Sequence, residues 1–229
     1  PLLVRDGKIM KPTPRALELA PQVKQILKQI EQLIAPVDFD PKTSTRTFRI
    51  GMSDYIEFVL LPKLLALLDK YAPQVHLKIT HLNALDSKEL FDADQLDLGI
   101  GVSFDKKPES LASESLFFDK SICLTSRHHP LAQKKKLTLK DYMQAKHLAI
   151  SFPQEPYRTL IDATLDQLGV KRNVVVSVPH IVPILFALQD TPYLITTASK
   201  IGYAIAGPLG LVVYDPPFET KSAHIEQVA

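Results

Sequence analysis

The sequence predicts an α/β protein of two similar lobes, led by a short hairpin and a long amphipathic helix. Three observations carry this. Strand-like and helix-like apolar stretches alternate once from Thr47 to Val102 and again from His147 to Thr197. A long β-rich stretch, Ser113–Arg127, separates the two runs. Upstream of both, apolar residues step 4-3-4-3-4 from Ala16 to Ile34, a helical rather than a strand period.

The bulk numbers suit that reading. The chain has 229 residues, is 45% hydrophobic and 23% charged, with a mean hydropathy of +0.02. This is enough apolar content for one large or two small packed units, and it excludes a disordered chain. The most apolar run, Phe58–Leu68, is interrupted by Pro62 and Lys63 and is too short to span a bilayer, so no membrane partner is expected. A single cysteine, Cys123, rules out an intrachain disulfide; it sits in a strand-like stretch and reads as an inert core thiol, in keeping with a cytoplasmic location. The net charge of +2 divides unevenly, +4 over residues 1–28 and −2 over the rest, so a polyanion partner would meet the N-terminal end. The chain opens at Pro1 rather than methionine and is read as a fragment.

Each element has a local reason. Leu2–Met10 reads as a hairpin around Asp6-Gly7, a pair suited to the positive φ angles of a type I′ turn. Two strands are not stable alone, so the hairpin belongs to a larger unit. Thr13 then serves as N-cap and Pro14 as first residue of a helix over 14–35. Its apolar stripe either packs on its own domain or pairs with another chain, and Pro21 is expected to kink it. Residues 36–45 are a linker by composition. Beyond it come strand Thr47–Met52, helix Ile56–Tyr71, strand Gln74–Thr80, a short helix from Ser87 and strand Leu96–Val102. After the β-rich stretch follow strand His147–Ser151, helix Thr159–Leu168 closed by Gly169, strand Asn173–Val178, helix Val182–Leu188 and strand Tyr193–Thr197. Leu211–Tyr214 and Ala223–Val228 are two more strands. The last is expected to return to the first lobe, which would otherwise have a thin sheet.

In this order the parts resemble the LysR-type transcriptional regulators. Pro1–Pro14 is similar to the family's wing and entry to its linker helix. Phe48-Arg49-Ile50-Gly51 and Leu60-Leu61-Pro62-Lys63-Leu64 are similar to its first sensor strand and helix. Tyr71-Ala72-Pro73-Gln74-Val75 and Leu96-Asp97-Leu98-Gly99-Ile100 are similar to the two strands that follow, and His128-His129-Pro130-Leu131 to a loop opening the second lobe. Phe152-Pro153, Val178-Pro179 and Pro216-Pro217 resemble the branch with nodulation and aromatic-degradation regulators. That branch tends to have Thr-Asp-Leu-Ile-Ala-Thr where this chain has Thr191-Pro192-Tyr193-Leu194-Ile195-Thr196, so the effector class does not carry over.

The resemblance implies two Rossmann-like lobes of the type II periplasmic-binding-protein kind, preceded by a wing remnant and a long linker helix. Residues 1–13 would be the remnant of a winged helix-turn-helix and 14–35 the dimerisation helix. Lobe I would span 46–120, completed by 216–229, and lobe II 121–215. The implied partners are promoter DNA through the complete protein, a small organic effector, and further copies as a homodimer or homotetramer. No cofactor is implied.

Ligands of open α/β sheets bind beyond the carboxyl ends of strands, near helix N-termini. That rule selects Ser53, Asp54, Asp86, Ser103, Ser151, Phe152, His180 and Thr197 as effector-site candidates. Ser53, Ser151 and Asp86 are alternatively plain helix caps. Phe152 is either an apolar wall or ordinary packing, and His180 either a cap or core residue or an effector contact. Arg5 and Lys8 flank the hairpin turn and are the candidates for contact with the DNA backbone or minor groove, or are simply solvated.

Other chemistries lack their residues. His128-His129 has no ligand partner at metal spacing, and His76 and His81 fall on opposite faces of a strand, so no metal site is expected. Gly99-Ile100-Gly101 lacks the third glycine of a dinucleotide loop, no Walker loop is present and no serine sits in a strained elbow, so catalysis is not expected. The rival readings are a transport solute-binding protein, which the hairpin and heptad-spaced helix disfavour, and a small enzyme of similar architecture.

Overall fold

Two five-stranded sheets of the same design organise residues 41–229 of the computed structural model, which describes residues 1–6, 9–34, 39–82, 95–102, 111–150 and 159–228. Lobe I contains β3 (Thr47–Met52), β4 (His76–His81), β5 (Leu98–Val102), β6 (Ser113–Asp119) and β12 (Ala223–Val228), ordered β4-β3-β5-β12-β6. Lobe II contains β7 (Ser121–Ser126), β8 (Lys146–Ile150), β9 (Asn173–Val178), β10 (Tyr193–Ala198) and β11 (Leu211–Tyr214), ordered β9-β8-β10-β7-β11. In both, the first three strands of the order run parallel and the fourth antiparallel. That fourth strand arrives each time from the other lobe: β7 straight after β6, and β12 after β11. The β-rich stretch is thus two strands in different sheets, parted at Lys120.

Helices cover the sheets where the apolar pattern places them. In lobe I, Ile50, Met52, Ile100 and Ile225 face α2 (Asp54–Tyr71), which contributes Ile56, Leu60 and Leu64. Asp97 closes the start of β5 by accepting from the Arg49 backbone N–H at 2.7 Å and the Arg49 guanidinium at 3.0 and 3.2 Å. Those bonds hold the Asp97 carboxyl down at about 2.

Lobe II is filled on both faces. One face packs Ile122, Leu124, Leu148 and Ile195 against α5 (Ile181–Ala187) and α6 (Ser199–Ala206). The other packs Cys123 and Leu194 against α3 (Leu139–Gln144) and α4 (Leu160–Gln167). Both α3 and α4 begin with a reciprocal capping box, Thr138 with Asp141 and Thr159 with Asp162. Gly169, at φ +70°, ends α4 in the left-handed turn that glycine adopts without strain. Cys123 is fully buried, and burial pushes its thiol up to about 12, so it is not a reactive group.

Residues 1–40 form a separate unit. β1 (Leu3–Asp6) pairs antiparallel with β2 (Ile9–Pro12), and Asp6 lies opposite Ile9. Asp6, expected from the sequence in the turn, is instead taken up in the ladder, and Gly7 and Lys8 lie outside the described residues. The helix α1 runs from Pro14 to Ile34 with Pro21 inside it, and Thr13 Oγ1 accepts the Ala16 N–H at 3.3 Å. Leu17, Val23, Ile26, Leu27 and Ile30 on its apolar side are all exposed.

Two further differences from the sequence reading concern boundaries. Helices α3 and α6 were not anticipated. Phe218 packs edge-on to Tyr142 in the lobe II core, with ring centroids 5.0 Å apart, so the second crossing leaves lobe II after 218 rather than at 215.

Candidate functional site

The carboxyl end of β3 and the starts of three helices converge where lobe I meets lobe II. Ser53 sits in extended backbone between β3 and α2, in the N-cap position, yet its side chain makes no capping bond. Asp54 takes over that role. Its Oδ1 accepts the Tyr55 N–H at 3.0 Å, and its Oδ2 accepts the Ile181 N–H of α5, across the lobes, at 2.5 Å. A carboxylate there is favoured by the partial positive charge of both helix ends. His180, the N-cap residue of α5, also makes no capping bond. Its Nδ1 lies 4.0 Å from Asp54 Oδ2, and its ring meets His81 of β4 edge-to-face at 5.2 Å.

Behind this edge lies Asp119, the last residue of β6 and 4% exposed. Its Oδ2 accepts from the Tyr55 hydroxyl of lobe I and, at 3.1 Å, from the Lys200 N–H of α6; its Oδ1 accepts from the Ser199 hydroxyl. Burial raises the Tyr55 phenol above its ordinary value, and the bond to Asp119 adds to this.

Thr197 lies near the carboxyl end of β10, 6% exposed, and alternation puts it on the Ile195 side of the sheet, under α5 and α6. Its hydroxyl has no hydrogen-bond partner among the described residues. Its neighbour Thr196 faces the other way, to the Tyr142 hydroxyl at 2.8 Å and Cys123 Sγ at 3.5 Å.

Of the residues selected from the sequence, Asp54 and His180 are brought into contact, Ser53 adjoins them, and Thr197 lies in the same face of lobe II. Asp86, Ser103, Ser151, Phe152 and Lys8 lie outside the described residues. Arg5 is exposed on β1, in the separate N-terminal unit. Sequence reasoning missed His81, Tyr55 and Asp119. His81 carried a usable signal, a polar residue ending a strand; Asp119 carried none, since its partners are 64 to 81 residues away.

Chemically the Ser53 hydroxyl and the His180 imidazole, beside helix N-termini and free of capping bonds, suit hydrogen bonding to a small polar molecule. Among the described residues no group of three or more His, Cys, Asp or Glu side chains is placed to hold a metal ion, and no helix is long and apolar enough to cross a membrane.

Comparison with known proteins agrees with this architecture. The LysR substrate binding domain family matches residues 41–191. The chain is 29% identical over 217 residues to the HTH-type transcriptional activator NagR of a Ralstonia species, covering 94% of this chain and 71% of that one. It is 31% identical over 222 residues to the Nodulation protein D of Rhizobium leguminosarum bv. trifolii, covering 96% and 69%. A crystal structure of a probable transcriptional regulator from Pseudomonas aeruginosa superposes with a TM-score of 0.77 at 30% identity, over 100% of this chain and 77% of that one. The two-lobed unit and these matches together place the chain in the LysR family of regulators.

Proposed function

We propose that the chain is the effector-sensing and dimerising part of a cytoplasmic LysR-type transcriptional regulator. A small organic molecule would bind between the lobes, beside Ser53, Asp54, His180 and Thr197, and favour one lobe arrangement over another. The stretches holding Asp86, Ser103, Ser151 and Phe152 would complete the site. Such a ligand shifts the balance only by its difference in affinity for the two arrangements. Paired copies of α1 would carry that change to promoter DNA, which Arg5 and Lys8 of the wing remnant would touch. The lobes would be residues 46–120 with the C-terminal strand, and the stretch from 121 to just past Phe218.

The observation that carries this reading is the meeting of strand ends and helix starts from both lobes at Asp54 and His180. A transport solute-binding protein would share the lobes but would have no use for a helix with an exposed apolar stripe. The test is a gel shift of the complete protein on its own promoter. Arg5→Ala is expected to weaken binding to all sequences alike and to lower the salt slope by about one. Unchanged affinity and slope would remove the wing assignment.

A further inference from the structure

We propose that Asp54, Tyr55 and Asp119 form an interlobe clamp, setting the resting angle between the lobes by capping two lobe II helices with carboxylates anchored in lobe I. The two helices are α5, reached through the Ile181 N–H at 2.5 Å, and α6, reached through the Ser199 hydroxyl and the Lys200 N–H at 3.1 Å. Both carboxylates lie on lobe I elements, Asp54 on α2 and Asp119 on β6. Tyr55 ties them together: adjacent to Asp54 in sequence, it donates its hydroxyl to Asp119 while its ring packs against the hydrophobic cores of both lobes. Asp119 also immediately precedes the crossing residue Lys120, whose carbonyl accepts the Ser199 N–H at 2.8 Å. The clamp therefore sits at the first crossing, where a rotation of one lobe on the other would pivot.

Opening this edge must separate the carboxylates from helix N-termini and leave Asp119 with the Tyr55 hydroxyl as its remaining donor of the three. Hydrogen bonds to charged groups are the stronger ones, and a buried acceptor left unmatched loses its full hydration. The lobes are thus held at one edge, and a ligand-driven rearrangement either turns about the clamp or breaks it. The inference rests on the two-lobed unit being a sensor only for its regulatory consequence; the clamp itself is a statement about lobe geometry.

The test is a distance measurement by pulsed electron paramagnetic resonance on the full chain, with spin labels at Lys63→Cys in lobe I and Lys171→Cys in lobe II, diluted with unlabelled protein. Cys123 is fully buried and stays unlabelled. The parent is expected to give one narrow distance. Ser199→Ala removes the hydroxyl that α6 donates across the lobes to Asp119, and should raise the population away from that distance by about tenfold, the equivalent of one charged hydrogen bond. Asp119→Asn should do the same or more. Tyr203→Phe, an exposed tyrosine of α6, should leave the distribution as in the parent. A folded Ser199→Ala protein with the parental distribution overturns the clamp, whether or not Asp119→Asn folds. A broadened distribution with unchanged promoter output upholds the clamp and counts against the sensor reading instead.

Discussion

The apolar faces of α1 and of α5 are treated in opposite ways. Ile181, Ile184 and Leu185 of α5 are 4%, 4% and 0% exposed, buried against the lobe II sheet. Val23, Ile26, Leu27 and Ile30 of α1 are about as apolar and stand 46–55% exposed. The residue types are alike, so the difference lies in what each helix is packed against. The two-lobed unit buries its apolar faces, whereas α1 leaves its stripe exposed. A 21-residue helix with one apolar stripe and two-strand company is marginal alone in water. Its stability is expected to come from association, which makes it concentration-dependent.

That contrast can be broken by substitution. Arg172 is the most exacting residue of lobe II: its side chain is 2% exposed and is held by Asp162 at 2.7 and 3.0 Å and Thr159 at 2.9 Å. Arg172→Ala leaves Asp162 with Thr159 as partner but without its counter-charge, and should cost about 3 kcal/mol in urea unfolding of the two-lobed unit. Leu185→Ala should cost about 3 kcal/mol in the same experiment. Leu27→Ala should leave that transition unchanged, and a comparable loss there would mean α1 is packed within its own chain.

A pH effect of similar size is expected at His147. The ring is fully buried beside Tyr142, its Nε2 at 2.7 Å from the Tyr142 carbonyl, and burial lowers its pKa to about 4. The folded value lies below the unfolded value of about 6.5. Stability from keeping this ring neutral is therefore full above about pH 6.5 and falls as acid takes the solution down towards pH 4. The loss reaches about 3 kcal/mol. Urea midpoints measured at pH 7 and 4.5 should differ less in His147→Phe than in the parent. Smallest is the cap: Thr159→Ala should cost about 1 kcal/mol.

The sequence disclosed the elements that repeat a period and hid those that depend on distant partners. Strand Asn173–Val178 was legible to the residue because Gly169 closes the helix before it and a β-favouring run of valines follows. The return of β12 to lobe I followed from counting strands. Helix α6 was hidden because Gly202 and Gly207 in so short a segment suggest a loop. In fact Gly202 lets the helix lie directly on the sheet, since a Cβ there would come within 2.4 Å of Ile122 Cδ1. Helix α3 was hidden because no long apolar period follows its Thr138–Asp141 capping box. The strand-end rule selected Ser53, Asp54, His180 and Thr197 because it needs only local order, and the structure sets Asp54 and His180 side by side. Tyr55 and Asp119 meet only once two sheets are folded and crossed.

The central claim is that exposed, paired helices hold two-lobed sensors together, and sedimentation of the whole chain tests it most directly. Val23→Glu with Ile30→Glu puts charge into the stripe without touching the lobes. The account predicts that the double variant sediments as a smaller species than the parent at equal concentration, with its two-lobed unit still cooperatively folded. A sedimentation profile identical to the parent's would contradict it.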